Sequence, residues 1–496
     1  MKVLLLPLDE RPCNIKFPVM VAHSGDVDIC VPDLSVLGDK KKPACHRDVK
    51  EYVLTHAHDC DTAIISIDML VYGGLVPSRV HRISCDDAIS RLEVLNELRR
   101  INPELRIYAF SSVMRAPQYN SDDEEPDYYA RYGEQLFRRA YLADKLRRVD
   151  LNDEERAELK SIRVPGEVID DYENRRRTNL TVNMAVLDLV KAGSVDYLVF
   201  PQDDSSPFGY TAVTQEKLHA AITRRDVHRK VSIYPGSDEV AMTLLARSVC
   251  KHKRIVPVVR PHYSSVMGPT LVPLYEDRPM YESLKAHVKS AGARLCDPDE
   301  KPDIELMVNS PGKIMQESRD ALTQRDVTYD SFRDLSVFVD DIDRLLNGGC
   351  RVALCDSSFA NGGDLQLISY LDSSDDLRGL TSYSGWNTNS NTVGTALSQA
   401  IVGKQNSVCT RRNVAYRIIE DALYQSSVRW RVTEKIGLHG GSYGDVLPCR
   451  KWAEDCVRDM LQTSYSRLKL SHRLPCSIRE VRFPWNRMFE IDMDLV

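Results

Sequence analysis

Along the chain, short runs of β-branched and apolar residues alternate with longer stretches whose apolar positions recur every three or four residues. The first pattern marks strands and the second amphipathic helices. Their alternation predicts an α/β protein in which helices flank one or more mainly parallel sheets. Strands are predicted at 2–7, 27–32, 62–68, 105–110, 195–201, 230–235, 254–259, 303–308, 350–355 and 379–383. Several are apolar along their whole length, as strands buried on both faces must be. Helices are predicted at 84–100, 211–224, 238–252, 278–291 and 391–403.

Residues 118–192 break this rhythm with a charged, Tyr- and Arg-rich stretch of helical periodicity, read as a helical insertion. Beyond about 405 the strand signals fade, and helices are predicted near 413–430 and 452–467. The expected organisation is an N-terminal α/β region (1–252, carrying the insertion), a second α/β region (253–405) and a mainly helical C-terminal region (406–496). Ten strands suit either a TIM-like barrel with extra elements or two doubly wound domains. In both, ligands bind beyond the carboxyl ends of the strands, so the residues just after each strand are the ones to inspect.

Those residues are unusually polar. Strand 2–7 leads into Asp9, Glu10 and Arg11; strand 62–68 into Asp68, Tyr72 and Arg79; strand 105–110 into Arg115. Strand 195–201 opens onto the adjacent carboxylates Asp203 and Asp204, and strand 230–235 onto Asp238 and Glu239. Strand 350–355 is followed by Asp356, Asn361 and Asp364, and strand 379–383 by Trp386, Asn387, Asn389 and Asn391. Together they suggest one concave surface rich in hydrogen-bonding groups.

Each has a purely structural reading. Ser237-Asp238-Glu239 is a good helix start, Asn361-Gly362-Gly363-Asp364 a tight turn, and one of the three Asn residues a helix cap. Asp9 and Arg11 suit a local ion pair, while Arg79 and Arg115 can neutralise nearby acids. Asp203-Asp204 is the hardest to explain this way, because adjacent carboxylates repel and raise one another's pKa. On an extended chain the two side chains are expected to point in opposite directions.

Composition narrows the field. With 496 residues, 43% hydrophobic and 28% charged, the chain is a globular protein of two to four structural units. A net charge of −6, with no basic run, gives no field for nucleic acid. The apolar start is too short for a signal peptide and no segment reaches the ~20 residues of a membrane span. Thirteen cysteines in no CxxC pair indicate reduced thiols, hence a cytoplasmic location. No GxGxxG follows the first strand, and neither a phosphate-binding P-loop nor HExxH occurs. A serine nucleophile elbow is not expected. His56 and His58 form an HxH, but within a predicted helix at the opposite end of the sheet.

The ordered motifs LLLPLDERP, SIDMLVYGGLVPSR, FSSVMR, PQDD, YPGSDEVAMTLLAR, DSSFANGGD, SGWNTNSNTVGTALSQ and FPWNRMFE resemble the bacterial DUF4127 family over nearly the whole chain. The resemblance implies a bacterial protein whose relatives carry similar acidic and Asn-rich blocks.

The residue types favour a carbohydrate-active enzyme, a glycoside hydrolase first. Sugar hydroxyls are met by Asp, Asn and Arg, Trp386 or Tyr72 covers a ring face, and two carboxyls supply the chemistry. Glu239 is the expected acid and Asp204 the base or nucleophile, with Asp203 and Asp238 as their neighbours. A carboxyl separation of about 5–5.5 Å would mean retention, and about 6.5–9.5 Å inversion. The remaining residues, Asp9, Arg11, Asp68, Tyr72, Arg115, Asp356, Asn361, Asp364, Trp386, Asn387 and Asn391, are expected to bind substrate. No cofactor is expected; the partner is a small molecule or oligosaccharide, and homo-oligomerisation is left open. The alternatives are a Mg²⁺- or Mn²⁺-dependent hydrolase or lyase holding its ion with Asp9, Asp68, Asp203 and Asp356, and a non-catalytic sugar-binding protein.

Overall fold

The structure, a computed structural model, describes residues 1–496, the side chain of Ala321 excepted. The chain divides into two compact units: Met1–Glu10, Asp28–Ala241 and Tyr275–Asp277 form the first, and Arg11–Val27, Met242–Leu274 and Arg278–Val496 the second.

In the first unit, β1 (Lys2–Leu6), β2 (Asp28–Cys30), β3 (Thr62–Ser66), β4 (Arg106–Phe110), β5 (Tyr197–Gln202) and β6 (Val231–Pro235) form one sheet in the order β2-β1-β3-β4-β5-β6. Every ladder is parallel, with Val3 opposite Thr62, Thr62 opposite Arg106, Tyr108 opposite Tyr197 and Leu198 opposite Val231. Val3, Leu4, Leu5 and Leu6 have no exposed surface, because helices cover the sheet on both faces. Burial of each such side chain stabilises the fold by about 1.5–3 kcal/mol. The strand order reverses between β1 and β3, the position where doubly wound sheets open a ligand crevice.

The insertion consists of the helices Tyr129–Arg148, Asp153–Ser161 and Gly166–Ala192. Asn152 and Glu155 make a reciprocal capping box at the start of the second. Gly193, at φ 87°, ends the third in a conformation that favours glycine. Tyr129, Leu136, Val168 and Tyr172 pack with Met114 into a small core of their own.

The second unit contains β7 (Val258–Tyr263), β8 (Arg294–Leu295), β9 (Ile304–Asn309), β10 (Gln316–Glu317), β11 (Val352–Asp356), β12 (Phe359–Ala360), β13 (Ser382–Ser384), β14 (Ile478–Arg482) and β15 (Asp492–Leu495). Its main sheet is parallel in the order β13-β11-β9-β7-β8, again reversing beside the first strand, while β10 pairs with β12 and β14 with β15. Of the two architectures open from sequence, these are two doubly wound sheets; among the described residues no ladder closes either into a barrel.

All ten predicted strands are present, and the departures have local causes. The helix Val240–Lys253 runs one residue further than expected and Arg254 turns at φ 56°, so β7 begins only after Pro257. The hairpin β14/β15 was not foreseen, since its strands show no clean alternation of apolar and polar residues. Near 413–430 the chain is helical but irregular: Val408–Arg417 is α, Ile418–Val428 is a π-helix with i→i+5 hydrogen bonding, and Arg429–Ile436 is α again. Such wide turns are rare and concentrate at functional sites. Among the described residues no helix is long and apolar enough to cross a membrane, and all thirteen cysteines are free thiols.

Candidate active site

The first unit gathers its charges at the carboxyl ends of β3, β4 and β5. β5 stops at Gln202, and Asp204 then adopts φ 43°, a left-handed turn that Asp tolerates better than most side chains. This turn overrides the alternation expected of an extended chain. Both carboxylates approach the same nitrogen: Arg115 Nη1 lies 3.1 Å from Asp204 Oδ2 and 3.7 Å from Asp203 Oδ2.

The network extends into the loop that opens the insertion, ahead of its first helix. Arg79 Nη2 donates to Asp203 Oδ2 at 2.6 Å and Nη1 to Glu124 Oε2 at 2.7 Å. Arg115 Nε donates to Glu125 Oε1 at 2.8 Å, and Nη2 is 3.2 Å from Glu124 Oε2. Two guanidiniums thus face four carboxyls. Glu125 is buried, which raises its pKa, and its Oε2 has no hydrogen-bond partner. Asp204 keeps 20% of its side-chain surface open. Burial, followed by the charge of Asp203, pushes its pKa up to about 7. A carboxyl in that state can give or take a proton near neutral pH.

Neighbouring predicted residues hold this edge together. Asp68, buried and with its pKa raised by that burial, accepts the Ser112 N–H at 2.9 Å and so ties β3 to the segment leading to Arg115. Tyr72 is buried and stacks on His81 with centroids 4.5 Å apart, so its ring is packed within the protein. Asp9 is buried just beyond β1, and Asp238 just beyond β6. Glu239, with no exposed surface, accepts the Ser237 N–H at 2.9 Å.

The other predicted residues belong to the second unit and form a cluster there. Asp356, at the end of β11, accepts from Asn309 Nδ2 (2.8 Å), the Asp364 N–H (2.7 Å) and the Tyr383 hydroxyl (3.0 Å). Burial and then the charge of Asp364 push it to about 7. Asp364 caps the helix Leu365–Ser373 and faces Arg333 at 2.8 Å. Asn361 turns at φ 57° and donates to Glu317. Trp386 is enclosed, met edge-on by Phe17 at 6.2 Å. Asn387 lies at φ 58°; the helix that follows, Asn389–Val402, is capped by Thr388 rather than by an Asn, with Asn391 in its first turn. A threonine hydroxyl fills that role as an Asn amide would.

Sequence reasoning missed the acids of the π-helix and the C-terminal segment. Arg417 pairs with Asp421 and, at 3.2 Å, with Glu420. Burial pushes Asp421 to about 6 and Glu420 to about 8. Asp421 also accepts the Gly385 N–H at 2.8 Å. Glu490 lies 3.3 Å from Arg487 and 3.8 Å from Arg11, and both guanidiniums stack on Trp485, at 4.6 and 4.5 Å. The motif FPWNRMFE was the one signal for this cluster; nothing in the sequence marked Glu420. Glu124 and Glu125 lay unmarked within the charged stretch 118–192. The spacing Gly-x-Ser-x-Gly does occur at Gly440–Gly444, but between two short 3₁₀ turns, not at the strand-to-helix bend that exposes a nucleophile. Among the described residues no three His, Cys, Asp or Glu side chains are grouped to hold a metal ion, so Asp9, Asp68, Asp203 and Asp356 form no such set.

The model of the family DUF4127, described as a protein of unknown function, matches residues 3–494. No curated protein matches the chain.

Proposed function

The chain belongs to the DUF4127 family, and from that premise we propose that it is a carbohydrate-active hydrolase that cleaves a glycosidic bond by proton transfer from Asp204. The observation that carries this reading is Asp204 itself, a partly open carboxyl with a pKa near 7 at the carboxyl edge of a parallel sheet, beside a second carboxyl. Glycoside cleavage asks for that asymmetry, one carboxyl holding a proton and another nearby.

Asp204 therefore takes the proton-donor role first given to Glu239, whose oxygen is engaged by the Ser237 amide in a fully buried position. Asp203, oriented by Arg79, is the second carboxyl, and Arg115 fixes the geometry of both.

A panel of aryl glycosides offered to the wild type, Asp204→Asn and Glu239→Gln tests this. Turnover by the wild type, lost in Asp204→Asn while circular dichroism is unchanged, supports the assignment; no hydrolysis of any glycoside overturns it. The runner-up reading is Mg²⁺- or Mn²⁺-assisted hydrolysis or lysis, although the four carboxyls around Arg79 and Arg115 are not grouped to hold an ion. Activity that EDTA removes and Mg²⁺ restores selects it. A sugar bound without turnover selects a receptor.

A further inference from the structure

We propose that the helical insertion carries a binding site for a phosphate-bearing small molecule, in the cleft between the helices Tyr129–Arg148, Gly166–Ala192 and Tyr210–Arg225. The cleft has a volume of about 450 Å³, within the range of about 300–1,000 Å³ typical of small-molecule sites.

Its charge is one-sided once the internal pairs are removed. Of its two acids, Asp144 is taken by Arg147 and Arg148, each at 2.9 Å, and by the Gly209 N–H at 3.0 Å. Glu173 is taken by Arg139 at 3.2 Å and the Tyr210 hydroxyl at 2.9 Å. Arg176, Arg177 and Lys217 remain, and among the described residues none of them has a carboxylate partner. Cationic walls around a concave surface focus the field on whatever enters.

The cleft is also rigid where it matters. Arg176 is buried; its guanidinium donates to the Met114 and Arg115 carbonyls at 2.8 and 2.9 Å and lies 4.8 Å over the Tyr210 ring. A planar guanidinium held in one orientation, in a cleft lined also by a second guanidinium and an ammonium, suits the tetrahedral oxygens and double charge of a phosphate. Inorganic phosphates and phosphorylated metabolites share that chemistry.

The test is calorimetric titration of the full chain with pyrophosphate and, separately, with glucose 6-phosphate. Binding tighter than about 1 mM by at least one of them, weakening as salt is added, is expected. Pyrophosphate alone would identify an inorganic ligand, and preference for the sugar phosphate an organic one. Lys217→Glu and Arg177→Glu, both exposed, should each weaken binding about tenfold or more, whereas Lys160→Glu, outside the cleft, should leave it unchanged. Absence of binding by both probes, or equal loss in all three variants, overturns the proposal. The readout is binding, so failure here leaves the glycosidase assignment untouched, and the reverse.

Discussion

Arg115 Nη1 lies 3.1 Å from Asp204 Oδ2 while the same guanidinium, through Nε, holds the buried Glu125 at 2.8 Å. One side chain therefore holds a buried acid in the fold and also opposes the rise that burial and Asp203 impose on the pKa of the candidate acid. Arg115→Ala leaves Glu125 without that partner, at a cost of about 3–5 kcal/mol, read by urea denaturation. Arg115→Lys keeps the charge but not the fork, and should fall between.

The electrostatic half of that relationship has its own consequence. A cation favours the ionised form of a neighbouring carboxyl, so weakening the Arg115 contact must raise the pKa of Asp204 above about 7. In any assay that follows proton donation by Asp204, wild-type activity should fall as pH rises through about 7, and the Arg115→Lys limb should lie at higher pH.

Asp204→Asn removes the proton altogether. Loss of general acid catalysis costs about 10²–10⁴-fold in kcat, and the limb near pH 7 should vanish with it. Unchanged kcat on a substrate the wild type turns over would remove Asp204 from the chemistry.

Glu420 supplies a test that needs no substrate. Burial raises its pKa from 4.5 to about 8, so the folded protein keeps this proton at pH values where the unfolded chain has lost it. The stabilisation is fully present below pH 4.5 and is lost as pH rises through about 8. At 1.36 kcal/mol per pH unit, the group accounts for at most about 5 kcal/mol. Glu420→Gln should flatten the decline, so that its urea midpoint rises relative to wild type between pH 5 and 8.

Gly363 is a packing test of the second cluster. A Cβ there would meet the Tyr383 hydroxyl and come within 2.8 Å of Asp356 Oδ2. Gly363→Ala should destabilise by about 1–3 kcal/mol, measured against an alanine at Gly437, where nothing lies within 4 Å.

The sequence disclosed whatever depends on near neighbours. Apolar runs located the parallel strands, and polar residues immediately after them proved to stand at the carboxyl edges, as Asp204 and Asp356 do. What depends on distant parts of the chain stayed hidden. The residues expected around one hollow are divided between the units, Asp9 and Asp204 falling in the first and Asp356 in the second, a division that no local pattern in the sequence marks. Glu420 was invisible because a π-helix has no period that marks it apart from an α-helix over so short a span. The direction of Asp204 depended on one backbone angle.

Neither unit is an unbroken length of polypeptide: each is assembled from three segments, and the first excursion occurs between β1 and β2, before the first sheet has its second strand. Consequently no single scission releases an intact half, and a fragment ending at Ala241 would carry a strip belonging to the missing partner. Ribosomal synthesis meets the same constraint, since residues 11–27 emerge some 200 positions ahead of most of the unit that receives them.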